Sequence, residues 1–220
     1  MESPQYEYLT DGSAIYAESF RIIRAESDLS RFPDDVSKVA VRMIHAAAQT
    51  NLTDDIAWSP GVVRSCRAAL LAGAPILCDS TMVATGIIRS RLPRDNEVIC
   101  HLSDPRLADL ARELGTTKTA AAVELWRERL DGAVIAIGNA PTSLFRLLEV
   151  VRDTGIKPAG VIGIPVGFVG APESKQALAE NPYGLDYLTV LGRRGGSAIA
   201  VAAVNAIAST AETTNEARTS

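Results

Sequence analysis

Histidine and cysteine are the scarcest reactive residues in this chain, with two and three copies in 220 residues. The two histidines, His45 and His101, lie far apart, and no cluster of Cys or Asp accompanies either. A protein-held metal is therefore not expected. Cys66, Cys78 and Cys100 show no CxxC spacing and are odd in number, which reads as reduced thiols in a cytoplasmic protein. No serine sits in a GxSxG elbow, which argues against a Ser/His/Asp hydrolase. Neither GxGxxG followed by an acidic residue nor GxxxxGK[ST] occurs, so the common nucleotide-binding fingerprints are missing. Apolar runs such as "AGAPILC" and "AVIAIG" fall well short of the roughly 20 residues of a membrane span. The opening "MESPQYEYLTDG" is acidic and polar, unlike a secretory signal. A basic surplus is absent too. The formal charge of −4 argues against a nucleic-acid binder, yet leaves room for an anionic small molecule in a locally positive cleft.

What is present is apolar content, 47% and evenly spread, enough for one sizeable core. Asp11 or Ser13 can cap a first helix, "SAIYAESFRIIRAESDLS". Asp34 or Asp35 opens a second, and Ser59 is the expected N-cap of a third, "SPGVVRSCRAALLAG". Short apolar runs then alternate with helical segments: "PILCD", "EVICHL", "AVIAIG", "AGVIGIP" and "YLTVLG". That alternation is the pattern of a parallel sheet covered on both faces. The expected fold is a single doubly wound α/β domain over residues 1–209, with a mainly parallel sheet of about five strands, helices on both faces and extra N-terminal helices. Residues 210–220 read as a disordered tail.

In such a sheet ligands bind beyond the carboxyl ends of the strands, and four strand ends carry unusual residues. Asp79, Ser80 and Thr81 follow one strand, and Gly138 and Asn139 follow another. "IGIPVGFVGAPES" is rich in Gly and Pro, and "VLGRRGGSAIA" leads two arginines and a Gly-Gly pair into a helix. Each loop alone reads as capping and turn chemistry, with Asn139 an N-cap. Together they offer turn N–H groups around Gly167 and Gly195 to an anion. Arg193 and Arg194 add paired donors suited to carboxylates.

His45 is the odd residue of the second helix. Val36, Val39, Ala40, Met43, Ile44 and Ala47 form its apolar stripe. At about 100° per residue, His45 falls nearly opposite, on a face shared with Lys38, Arg42 and Gln49. That face is either a solvated surface or the wall of a pocket. In a pocket, an imidazole beside cations gives up its proton more readily than usual. His101, at a strand end, reads as a residue satisfied by a local hydrogen bond.

Seven blocks, in order, carry a family resemblance: "IY..SF.IIRAE.DLSRF", "VRMIHA", "AGAPILCD..MVA.G", "NEVIC.L.DP", "AIGNAPT.LF.LLE", "PVGFVGA.ESK.AL.EN.YG" and "GR.GGSA". From about Tyr8 to Ala208 the chain resembles precorrin-8X methylmutases, and looks closest to those of the aerobic cobalamin pathway. The resemblance implies an isomerase that moves a methyl group from C-11 to C-12 of a contracted tetrapyrrole, giving hydrogenobyrinic acid. It implies no redox change and no cofactor. The family's catalytic histidine falls on His45, as proton donor or acceptor to the macrocycle, and its substrate-contacting serine falls on Ser19.

A polycarboxylate substrate suits the donors at the strand ends. The binding set expected from loops and blocks together is Ser19, Arg42, Asp79, Thr85, Lys118, Asn139, Gly167, Phe168, Val169, Arg193, Gly195, Gly196 and Ser197. "GTTKTAAA" departs from family members with arginine at the place of Lys118, exchanging a bidentate fork for a point charge. The resemblance further implies a homodimer with substrate near the subunit interface and hand-over of product to the next corrin-pathway enzyme. The cobalt-containing version of the reaction and a non-catalytic tetrapyrrole carrier stand as alternatives. The alanines beside His45 read as room for a flat macrocycle.

Overall fold

A computed structural model describes residues 6–209; the expected tail over 210–220 lies outside them. The five expected strands are present as β2 (Ile76–Cys78), β3 (Val98–Ile99), β4 (Val134–Ile137), β5 (Gly160–Gly163) and β6 (Tyr187–Val190). A sixth, β1 (Ile56–Trp58), pairs antiparallel with β6 at the sheet edge. Only Ile56 of its three residues is fully buried, so no apolar run announces it. The sheet order is β1-β6-β5-β4-β2-β3, and every pairing except β1–β6 is parallel.

Nine α-helices occur among the described residues: α1 (Gly12–Glu26), α2 (Asp34–Ala47), α3 (Val62–Leu71), α4 (Thr81–Gly86), α5 (Leu107–Glu113), α6 (Lys118–Glu124), α7 (Pro141–Thr154), α8 (Ala171–Glu180) and α9 (Ser197–Ala208). Successive strand side chains alternate between two cores, the period-two signature of a sheet covered on both sides. Ile76, Cys78, Val134, Ala136, Ile162, Leu188 and Val190 join the side chains of α2, α3 and α9. Leu77, Ile135, Ile137, Val161 and Tyr187 join those of α7 and α8. Helix α9 lies against β4 and β5 and carries α2 on its outer side. Its small residues permit this stacking, with Ala200, Ala203 and Ala208 all buried.

The helix caps differ in part from expectation. Asp11 caps α1, accepting from the Ser13 and Ala14 N–H groups. The N-cap of α3 is Gly61, because the Ser59 hydroxyl donates to Asp186 at the start of β6. Asn139 does not cap α7; Ala140 holds that position. The segment "TMVATGIIRS" is α-helical only to Gly86, and its last two residues begin a short 3-10 helix, Arg89–Arg91. At that break the buried Asn205 amide accepts from the Ile88 N–H and donates to the Gly86 carbonyl. Arg91 and Arg67 donate to the Asn205 and Ile207 carbonyls at the end of α9, the place where cations stabilise a helix. None of the described helices is long and apolar enough to cross a membrane.

Candidate active site

The strand order reverses between β2 and β4, because the chain leaves β3 on one side of β2 and returns on the other. Asp79 sits at that switch point, 1% exposed. Its carboxylate accepts from the N–H groups of Gly138 (3.0 Å), Asn139 (2.8 Å) and Ala140 (2.7 Å). Burial pushes this carboxyl above the usual carboxylate range, against the pull of the three N–H donors. Asp79 thus brackets the β4–α7 turn from inside the fold. Immediately beside it α9 begins: a Cβ on Gly138 would stand 2.8 Å from the Ser197 Cα. Ser197 is buried, with its hydroxyl 3.5 Å from that of Ser80.

The next loops along the same edge line a cavity of about 420 Å³. Val166, Gly167 and Phe168 form one wall, Arg193, Arg194 and Gly195 another, and Ala46, Ala47 and Gln49 of α2 a third. The Arg193 guanidinium lies 5.1 Å from the centre of the Phe168 ring, and both side chains are exposed. Arg194 differs from its neighbour. Its guanidinium is paired with Asp55 and bonds the Asn51 side chain at 2.9 Å. Of the two adjacent arginines, Arg193 is the one that faces out. The glycine N–H groups are engaged as well: Gly167 donates to the Arg193 carbonyl and Gly196 to the Ile164 carbonyl. These bonds shape the loop and leave the expected anion nest without two of its donors.

Gly195 is required by close approach. A Cβ there would stand 2.6 Å from the carbonyl oxygens of both Ile164 and Pro165, and backbone does not yield cheaply. Gly195→Ala is expected to displace the loop, destabilising the protein by about 2–4 kcal/mol and raising KM together with that loss. Thermal melting and initial-rate kinetics check both.

His45 lines a second cavity, about 360 Å³, with Ser19, Ile22, Ile23, Glu26, Ile44, Ala48 and Thr50. At His45 the face opposite the α2 stripe is therefore not open surface, because α1 lies across it; Lys38 and Gln49, on the same face, are exposed. The imidazole packs 5.4 Å from the Tyr16 ring and 5.3 Å from the Phe20 ring, centre to centre. Burial, and secondarily the Arg42 charge, hold its pKa below the ordinary 6.5. Ser19 comes from the same α1 surface, one turn from Tyr16. Arg42 turns to another side of α2, 5.5 Å from the Phe20 ring centre. There it lines a third cavity, about 240 Å³, with Lys38 and Arg67.

The last turn of α2 divides the first two cavities. Ala46 and Ala47 face one, His45 and Ala48 the other. Ala48 is left-handed (φ 52°, ψ 37°) and closes the helix by donating to the Ile44 carbonyl. A left-handed alanine costs about 1–2 kcal/mol relative to glycine. Glycine's extra freedom in the unfolded chain offsets about 0.4–1 kcal/mol of that, leaving a gain of about 1 kcal/mol, so Ala48→Gly is expected to raise the melting temperature by about 2–4 °C, which calorimetry checks.

Of the remaining expected residues, Gly196 is the N-cap of α9, and Val169 is 90% exposed beside the Phe168 wall. Thr85, Lys118 and Asn139 are exposed and line none of these three cavities. The Thr85 hydroxyl donates to the Thr81 carbonyl within α4. Three residues that touch the site or its loops escaped the sequence reading: Tyr16 and Phe20 against His45, and Lys175, whose Nζ bonds the Arg194 carbonyl. Tyr16 and Phe20 had a signal in their i, i+4 spacing on the helix that covers His45. Lys175 had one too, since it falls on the buried stripe of α8 among Ala171, Ser174 and Leu178. No group of three His, Cys, Asp or Glu side chains among the described residues is placed to hold a metal.

Comparison with known proteins decides the family. The model of the precorrin-8X methylmutase family (CbiC) matches residues 14–210. The chain belongs to the precorrin-8X methylmutase family. It is thus an isomerase of the methylmutase class, a family of cobalamin biosynthesis. A precorrin-8X methylmutase from Sinorhizobium sp. is 59% identical over 205 residues, 93% of this chain and 98% of that one. A cobalt-precorrin-8 methylmutase from Salmonella typhimurium is 36% identical over 207 residues, 91% and 96% of the two chains. The solved precorrin-8X methylmutase from Thermus thermophilus superposes with a TM-score of 0.81 at 42% identity, covering 90% of this chain and 95% of that one.

Proposed function

We propose that this methylmutase acts on metal-free precorrin-8X, moving the C-11 methyl group to C-12 to give hydrogenobyrinic acid, with His45 as proton donor. The reading rests on one observation above the others: a half-buried imidazole of lowered pKa shares a cavity with Ser19. A second, cation-edged cavity opens on the other side of the same helical turn. Each cavity is small for a tetrapyrrole, so the macrocycle is taken to lie across that turn, where alanines leave room. Its carboxylates would meet Arg193. A proton from His45 onto a ring nitrogen drains electron density from the conjugated system and eases migration of the methyl group. The methyl leaves one ring carbon with its bonding pair and rejoins the next. The proton then returns to His45, so that no atom or electron is gained or lost.

Identity of 59% to a relative named for precorrin-8X, against 36% to one named for the cobalt compound, favours the metal-free substrate. Rates on the two substrates, measured side by side, test it. Faster conversion of precorrin-8X is expected, and equal or faster conversion of the cobalt form would contradict it. A homodimer is the further reading, supported by exposed apolar side chains on α1 (Ile15, Tyr16, Ile22) and on the loop edge (Phe168, Val169). Sedimentation should then report twice the 23.3 kDa chain. Hand-over of product to a following corrin-modifying enzyme, in the cytoplasm, completes the proposal.

A further inference from the structure

Lys175 is wholly buried, on the inner face of α8. Its Nζ donates to the Arg194 carbonyl at 2.5 Å. Burial pulls its pKa down to about 8, with Asp55 opposing. Desolvating an ammonium is costly, and one hydrogen bond to a carbonyl returns only part of that cost, so packing alone does not explain a lysine there. What the ammonium does hold is the loop. From Arg193 to Gly196 the backbone is fixed group by group: the Arg193 carbonyl by the Gly167 N–H, the Arg194 carbonyl by Lys175, and the Gly196 N–H by the Ile164 carbonyl. The Arg194 side chain is anchored separately, on Asp55 and Asn51. With its neighbour pinned at both backbone and side chain, Arg193 is directed to the cavity wall beside Phe168.

We propose that Lys175 is a positioning residue for the methylmutase reaction: by holding the Arg194 carbonyl it aims Arg193 at a carboxylate of the substrate. The inference rests on reading the Arg193 cavity as a carboxylate site, and its test separates the two. Lys175→Met is expected to leave kcat within about twofold while raising KM about tenfold, the split that marks lost uniform binding. Arg193→Ala should raise KM similarly. In the Arg193→Ala background, Lys175→Met should add less than about twofold, since residues acting as one unit are non-additive. Fully additive effects, or no change in KM from Lys175→Met, would overturn the positioning role. No change in KM from Arg193→Ala would instead remove the carboxylate site itself.

A measurement on the unaltered protein covers the case in which Lys175→Met does not fold. The charged group that the structure brings to bear on Lys175 is Asp55, ahead of β1, which is itself paired with the Arg194 guanidinium. Below about pH 8 the donor is an ammonium; above it a neutral amine still donates, but without the charge that strengthens the bond, so KM should climb as pH rises through that value. The climb should be absent from Arg193→Ala. A KM flat from pH 7 to 9, or a climb that persists in Arg193→Ala, overturns the proposal.

Discussion

Replacing His45 by alanine is expected to abolish most of the turnover, by about 10²- to 10⁴-fold, the usual worth of a positioned proton donor. Folding and tetrapyrrole binding should survive. The side chain removed is only half buried, and it lies on the face of α2 opposite Val39, Met43 and Ile44, which hold the helix in the core. The pH profile gives the finer test. Burial and the Arg42 charge both disfavour the imidazolium, so its pKa lies below 6.5. If the protonated ring is the donor, kcat falls as pH rises through that lowered value. Arg42→Met removes one of the two causes and should move the falling limb toward higher pH. A limb that does not move would separate Arg42 from the imidazole. Retained turnover in His45→Ala would take the histidine out of the mechanism.

The largest effect on stability is expected at Asp79. Asp79→Ala deletes the acceptor of three N–H groups in succession, at Gly138, Asn139 and Ala140. A buried donor left without a partner costs about 1–3 kcal/mol. Water entering the gap offsets part of that, so the expected loss is about 3–5 kcal/mol overall. At about 2–4 °C per kcal/mol for a chain of this size, the melting temperature should drop by about 6–20 °C. Asp79→Asn keeps one acceptor oxygen but turns an NH₂ toward an N–H, and should fall between. Calorimetry of the three proteins decides the order. An Asp79→Ala variant as stable as the parent would mean that the β4–α7 turn is held elsewhere.

The strands β2, β4, β5 and β6 were legible because burial on both faces demands continuous apolar runs, and the half-buried edge strand β3 lies in a shorter one. Strand β1 was not, since a three-residue edge strand carries no periodicity. The direction of His45 away from the core could be read from helical spacing. That α1 covers this face could not, because nothing local records which helix lies on which. Asp79 illustrates the same limit. At a strand end an aspartate looks like a ligand group, and the N–H groups it holds arrive some sixty residues later. Arg193 and Arg194 are equivalent as sequence. Asp55 and Asn51, brought in by β1 and the turn before it, take one and leave the other facing the cavity. Long-range partners, more than local propensity, separate the residues that shape this site from those placed to meet a substrate.

The most direct test of the account is incubation of the purified protein with precorrin-8X while the visible spectrum is followed. Conversion to hydrogenobyrinic acid without any added cofactor is expected. A spectrum that stays that of precorrin-8X, under conditions where another methylmutase of the family completes the reaction, would contradict it.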